Sequence, residues 1–209
     1  MKSLSRMLVF VMLFGMSGAA AVRAEEMSPE MAEKMKKMEA LTSPGEAHKV
    51  LEPLAGKWTY TSKFWMSPEG PADESTGTSQ DDLIYGGRFL MQVVKGTMAG
   101  KPFEGLGFTG YDNIKKEYVS VWLDGIATGL MTSSGQYDAA TKSITETGAN
   151  SCPLTGETNR KVRSVSTLVD NDHKTYTAYA AGPDGKEMKM MEISYTRVAP
   201  AAAAEPAKA

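Results

Sequence analysis

The side chains best suited to metal ligation or nucleophilic attack are few: two histidines, His48 and His173, and one cysteine, Cys152. Zinc and iron sites need several converging His, Cys or carboxylate ligands, and two isolated histidines with one thiol do not supply them. A haem ligand would need a histidine on a strand, and the strand segments read below contain none. A reactive thiol needs a cationic neighbourhood that lowers its pKa. Cys152 stands in ANSCPLTG, without His, Lys or Arg within five residues, and reads as an inert turn or strand-end thiol. No G-x-S-x-G nucleophile elbow occurs. No metal and no cofactor is expected.

One stretch argues the other way. Gly105-Leu-Gly-Phe-Thr-Gly110 matches the dinucleotide fingerprint G-x-G-x-x-G, and Asp124 stands about where a ribose-binding acid would. The fingerprint works only where a strand turns into a helix, because the helix N-terminus binds the pyrophosphate. Here YDNIKKEYVSVWLD follows, in which Tyr118, Ser120 and Trp122 alternate with Val119, Val121 and Leu123. That is a turn and a strand. Phe103, Gly105, Gly107, Thr109 and Tyr111 then share one face, and the glycines read as space for a ring such as Trp122 on the next strand, with a ligand as the alternative. Gly110 reads as opening the turn.

Two polar groups remain as candidates. Asp124 ends its strand on the face of Tyr118, Ser120 and Trp122; it is either paired, with Arg88 as partner, or a perturbed acid. His48 lies on a short helix leading into Trp58, either as a hydrogen-bonded cap residue or as a polar group facing a cavity. His173 falls in an exposed turn.

The elements that position these residues follow from periodicity. Ser28 caps a helix with Pro29 at its first position, and Met27, Met31, Met35 and Met38 recur at helical spacing. Ser43 and Glu46 suggest a capping box for a second short helix ended by Pro53. From Lys57 the period becomes 2, and strands are read from there and near 76–85, 88–97, 101–111, 116–124, 127–137, 142–149, 157–170, 174–181 and 186–197. Turn dipeptides such as Gly86-Gly87, Ala99-Gly100 and Asn171-Asp172 separate them. Short connections permit antiparallel neighbours only, and about ten such strands must curl or close. The fold class is all-β: an antiparallel up-and-down β-barrel of about ten strands, with one or two N-terminal helices covering one end.

The N-terminus carries an address. Lys2 and Arg6, a 14-residue apolar run from Leu8 to Ala21 and a small residue at Ala24 describe a signal peptide over residues 1–24. The run is too short to span a membrane, so a secreted or periplasmic mature chain without a membrane span is expected. Losing Lys2, Arg6 and Arg23 takes the formal charge from −2 to −5, which leaves no basic footprint for nucleic acid. Residues 25–43 read as helix and linker, 44–198 as the barrel and 199–209 as a disordered Ala/Pro-rich tail.

Several motifs now stand in order: LAGKW at 54–58, GGRFL at 86–90, PFEGLGFTGYDNIKKEYVSVWLD at 102–124 and PDGKEMKMMEISYTR at 183–197. Together they resemble the secreted bacterial family catalogued as domain of unknown function 1579, from about Pro44 to Arg197. That family is similar to the calycin-like barrels, whose lipocalin, fatty-acid-binding and nitrobindin members carry a Gly-x-Trp on the first strand, here Gly56-Lys57-Trp58. The resemblance implies that Trp58 packs across one end with Arg197 lying over it, a cation–π contact. It implies a fold and no activity.

The expected function is therefore binding of a small hydrophobic or amphipathic ligand in a barrel cavity. His48, Trp58, Arg88, Tyr111, Trp122, Asp124 and Arg197 are its candidate residues. An enzyme using Asp124 or His48, and a ligand-free envelope interaction module, are the alternatives.

Overall fold

The computed structural model describes residues 28–152, 156–182 and 185–199. The expected signal peptide and residues 200–209 of the expected tail lie outside them. Helix α1 spans Pro29–Thr42, with the Ser28 hydroxyl accepting the Met31 N–H at 3.3 Å as the sequence anticipates. It buries no residue, and its Met31, Met35 and Met38 stay exposed.

Ten strands follow: β1 (Gly56–Phe64), β2 (Asp73–Ile84), β3 (Phe89–Met98), β4 (Lys101–Asp112), β5 (Glu117–Asp124), β6 (Met131–Asp138), β7 (Ser143–Asn150), β8 (Arg160–Leu168), β9 (His173–Ala181) and β10 (Glu187–Arg197). Each pairs antiparallel with its sequence neighbours, and β1 pairs with β10 to close the barrel. Closure removes both open edges that a ten-strand meander would otherwise expose. Tight turns carry left-handed residues, for example Ala99 and Gly100 between β3 and β4.

The up-and-down path gives the barrel two unlike ends. One holds the turns 85–88, 113–116, 139–142 and 169–172, and it is covered by the short helix α2 (Glu46–Lys49) and the 3-10 turn Glu52–Leu54. Leu51, fully buried there, packs with Leu90, Tyr118 and Ile144. The Tyr118 hydroxyl donates to the Ala47 carbonyl at 2.7 Å, and Asn113 donates to the carbonyls of Leu41 and Ser43. The other end holds the loops 65–72, 99–100 and 125–130.

Two local expectations are corrected. The N-cap of α2 is Gly45, and the His48 Nδ1 accepts the Gly45 N–H at 3.0 Å. Glu46 turns outward to Lys49 instead of closing a box with Ser43, because the chain is still extended at Gly45. Gly110 does not open a turn; β4 continues to Asp112, and a side chain at 110 would strike the Phe89 ring.

Candidate functional site

Inward-facing positions recur at every second residue. At the covered end, Trp58 is fully buried, and its Nε1 donates to the Leu54 carbonyl at 3.1 Å. The Arg197 guanidinium stands 4.0 Å from the indole centroid. It donates to the carbonyls of Pro53, Ala55 and Asn171, so it ties the last strand to the cap as well as covering the ring.

Above Trp58 lies a buried charge pair. Lys174 on β9 contacts Asp81 on β2 at 2.5 Å, and Asp81 also accepts from Ser79 and Gln92. The ammonium sits 4.5 Å from the Trp58 ring and 4.8 Å from that of Tyr195. Burial holds the Lys174 pKa below its ordinary value, with Asp81 pulling the other way. The same burial pushes the Tyr195 phenol up.

A cavity of about 320 Å³ occupies the barrel interior, its lining running from Leu54 and Leu90 near the covered end to Met98, Phe103 and Asp124 near the loop end. Phe103, Trp122, Tyr176 and Ile193 supply much of its apolar wall, and Ser120, Ser133, Ser164 and Glu146 a polar one. A shallower depression of about 500 Å³ lies over β1, β2 and β10. Its lining is mostly outward-facing hydroxyls such as Thr59, Thr61, Thr78 and Ser194, so it is a groove on the outer wall rather than an enclosed site.

Glu146 is the distinctive group inside. It is 7 % exposed, and its Oε1 has no hydrogen-bond partner. Gly135 on β6 and Ser164 on β8 stand opposite it in the sheet. Burial pushes its carboxyl above the usual range, partly offset by the Ser120 and Ser133 hydroxyls. Asn150, on the same face of β7, also lines the cavity, and its Oδ1 likewise lacks a partner.

The residues expected from sequence separate between the two ends. Trp122 and Asp124 line the cavity. The Trp122 Nε1 donates to Asp124 Oδ2 at 2.9 Å, while Asp124 Oδ1 accepts the Ile126 and Ala127 N–H groups. The glycines at 105 and 107 do leave room for this ring: a Cβ at 105 would lie 2.3 Å from its Cζ2. Arg88 is not the partner of Asp124. It sits at the covered end and donates to the carbonyls of Thr42 and Tyr85, because β3 begins where β5 begins and Asp124 is at the far end of β5.

His48 is buried beside Tyr111 at 5.8 Å. Burial, then Arg88, depresses its pKa. His48, Arg88 and Tyr111 thus belong to the cap and Trp58 and Arg197 to the floor. His173 is the first residue of β9 rather than a turn residue, and its exposed ring contacts Asp170. Cys152 is buried, with Arg160 Nη1 3.8 Å from its sulfur, a cation that the local sequence does not reveal.

Asp81, Lys174 and Glu146 escaped the sequence reading. In β7, Ile144, Glu146, Gly148 and Asn150 alternate with Thr145, Thr147 and Ala149, so one isoleucine is the main sign of which face is inside. Asp81 and Asp82 stand side by side in β2, and periodicity does not choose between them.

Residues 43–197 match the model of a family described as a protein of unknown function, DUF1579. The chain belongs to this family. Its closed ten-strand barrel fits the calycin-like description that the resemblance implies. Among solved structures, Rv2717c from M. tuberculosis is similar at 15% identity and a TM-score of 0.55, over 75% of this chain and 100% of its own. A redesigned β-barrel aligns at 18% identity and a TM-score of 0.36, over 76% of this chain and 100% of its own. The first likeness is one of fold alone. No curated protein matches the sequence. For this family, function has to be argued from the site, since one barrel architecture hosts many functions.

Proposed function

We propose that this protein is a secreted or periplasmic barrel that binds a small, partly apolar ligand inside its cavity. The observation that carries the reading is the interior itself: about 320 Å³, with aromatic walls and a few converging polar groups. Ligand sites have this character, and the volume sits at the lower end of their usual range of roughly 300–1,000 Å³. The ligand would enter at the loop end, since α2 and the 3-10 turn fill the other. Trp122 and Asp124 are the sequence-derived candidates that reach it; Glu146, Tyr176 and Lys174 join them. Among the described residues, no helix is long and apolar enough to cross a membrane. The basic start, apolar run and small residue over 1–24 support export.

Native mass spectrometry of protein isolated from its own cells tests binding. A co-purifying mass released by organic extraction is expected, whereas a solid interior in a crystal and no adduct would refute it. N-terminal sequencing of the exported fraction should begin at Glu25.

A further inference from the structure

We propose that Glu146 anchors the cationic head of a small organic amine whose apolar body fills the rest of the cavity; this rests on the ligand-binding reading above. Other charges that reach the cavity are already matched. Lys174 is paired with Asp81, and both Asp124 oxygens accept N–H groups. Glu146 differs: Oε1 is buried without a partner, and among the described residues no Lys, Arg or His forms an ion pair with it. A buried acceptor left empty carries its full desolvation cost, so a group that donates to it is selected for strongly.

What donates is constrained by charge. A carboxylate or phosphate ligand would meet Glu146 and Asp124, and among the described residues no uncommitted cation lines the cavity to receive it. An ammonium meets a carboxylate in surroundings of low dielectric, where the charge-assisted bond is strong. Trp122, Phe103 and Tyr176 line the same cavity, and aromatic rings attract a desolvated cation through their faces. Asn150 Oδ1 is a second open acceptor, four residues along the same face of β7 toward the loop end, or roughly 13 Å by strand rise. It suits a second donor at the ligand's outer end.

The burial that raises the Glu146 pKa also makes its ionised form costly when nothing balances it. A bound cation removes that cost, so head-group charge and carboxylate charge favour one another.

Two matched probe sets test this by calorimetry and protein NMR on the purified barrel: phenethylamine, phenethyl alcohol and hydrocinnamate, then hexylamine, hexanol and hexanoate. The amine should bind most tightly in each set and the carboxylate least. Glu146→Gln should weaken amine binding by about tenfold or more and leave the alcohol little changed. Glu146→Asp, which keeps the charge but withdraws it by one methylene, should fall between. Glu146→Gln should fold, since it removes a buried charge; its melting curve checks this.

Amine affinity indifferent to Glu146→Gln, or carboxylates binding as tightly as amines, overturns the assignment while ligand binding itself stands. If no probe binds and the native protein carries no adduct, both readings fall.

Discussion

Gly105→Ala puts a methyl group where the Trp122 indole now lies. The added Cβ would sit 2.3 Å from Cζ2 and 2.5 Å from Cη2, whereas relaxed carbon contacts are about 3.5–4.0 Å. The ring must therefore retreat by more than an ångström. It is not free to do so, because its Nε1 is bonded to Asp124 at 2.9 Å and that carboxylate also holds the Ile126 and Ala127 N–H groups.

Two costs oppose one gain. Replacing glycine inside a strand gains roughly 0.5–1 kcal/mol in backbone entropy. Overpacking costs about 1–3 kcal/mol, and displacing a hydrogen bond to a charged group costs about 1.5–3 kcal/mol. The clash wins, with a net loss of about 1.5–5.5 kcal/mol, at roughly 2–4 °C of Tm per kcal/mol in a domain of this size. Gly107→Ala is the internal control. Its Cβ would lie 3.1 Å from Trp122 Cε3, a misfit of tenths of an ångström, so gain and loss should cancel to within about 0.5 kcal/mol.

Urea unfolding followed by tryptophan fluorescence and circular dichroism measures both. In the Trp122→Leu background the ring is gone, and Gly105→Ala should then cost nothing, giving a coupling of at least about 1 kcal/mol. A Gly105→Ala protein as stable as the parent, or one whose loss persists in full without the ring, would refute the reasoning.

Three further outcomes are expected. Lys174→Met leaves the buried Asp81 carboxylate without its cation and should destabilise by about 3–5 kcal/mol, while the Asp81→Leu/Lys174→Met pair should recover much of that; denaturant titrations of the single and double variants decide it. Arg197→Lys keeps the charge but loses the planar fork that reaches three carbonyls and covers Trp58, and should lower stability by about 2 kcal/mol or more, read from its unfolding midpoint. Glu146 has its folded-state pKa raised above the ordinary 4.5, so the unfolded chain releases its proton first. Its contribution is then fully present below that ordinary value and is lost as pH rises through the raised one. The stability difference between Glu146→Gln and the parent should swing in the variant's favour across this window, and a flat difference would count against it.

Much of the frame was legible because it rests on short-range chemistry. Alternation in WTYTSKF and YVSVWLD, interrupted by Gly86-Gly87 and Ala99-Gly100, dictates strands and tight turns. Antiparallel neighbours and closure follow from connection length. The two glycines of GLGFTG could be assigned to packing because the segment after them has the period of a strand and not of a helix. Gly56-Lys57-Trp58 and Arg197 pointed to the ring-and-cation contact that closes the covered end, through resemblance rather than through periodicity.

The functional interior was not legible in the same way. Which of two alternating faces points inward depends on how ten strands close, and in polar strands such as SITETGAN both faces look alike until they do. Whether Arg88 meets Asp124 depends on which end of the barrel each strand terminus occupies, a property of the path and not of the residues. Lys174 finds Asp81 across 93 positions of chain, with β1 and β10 between their strands. Local sequence therefore determined a closed antiparallel barrel, and the tryptophan floor came through the family resemblance. Only closure decided that Asp81 and Lys174 neutralise each other while Glu146 is left inside with an acceptor open, because burial and partnership are set by what the other nine strands bring to the same space.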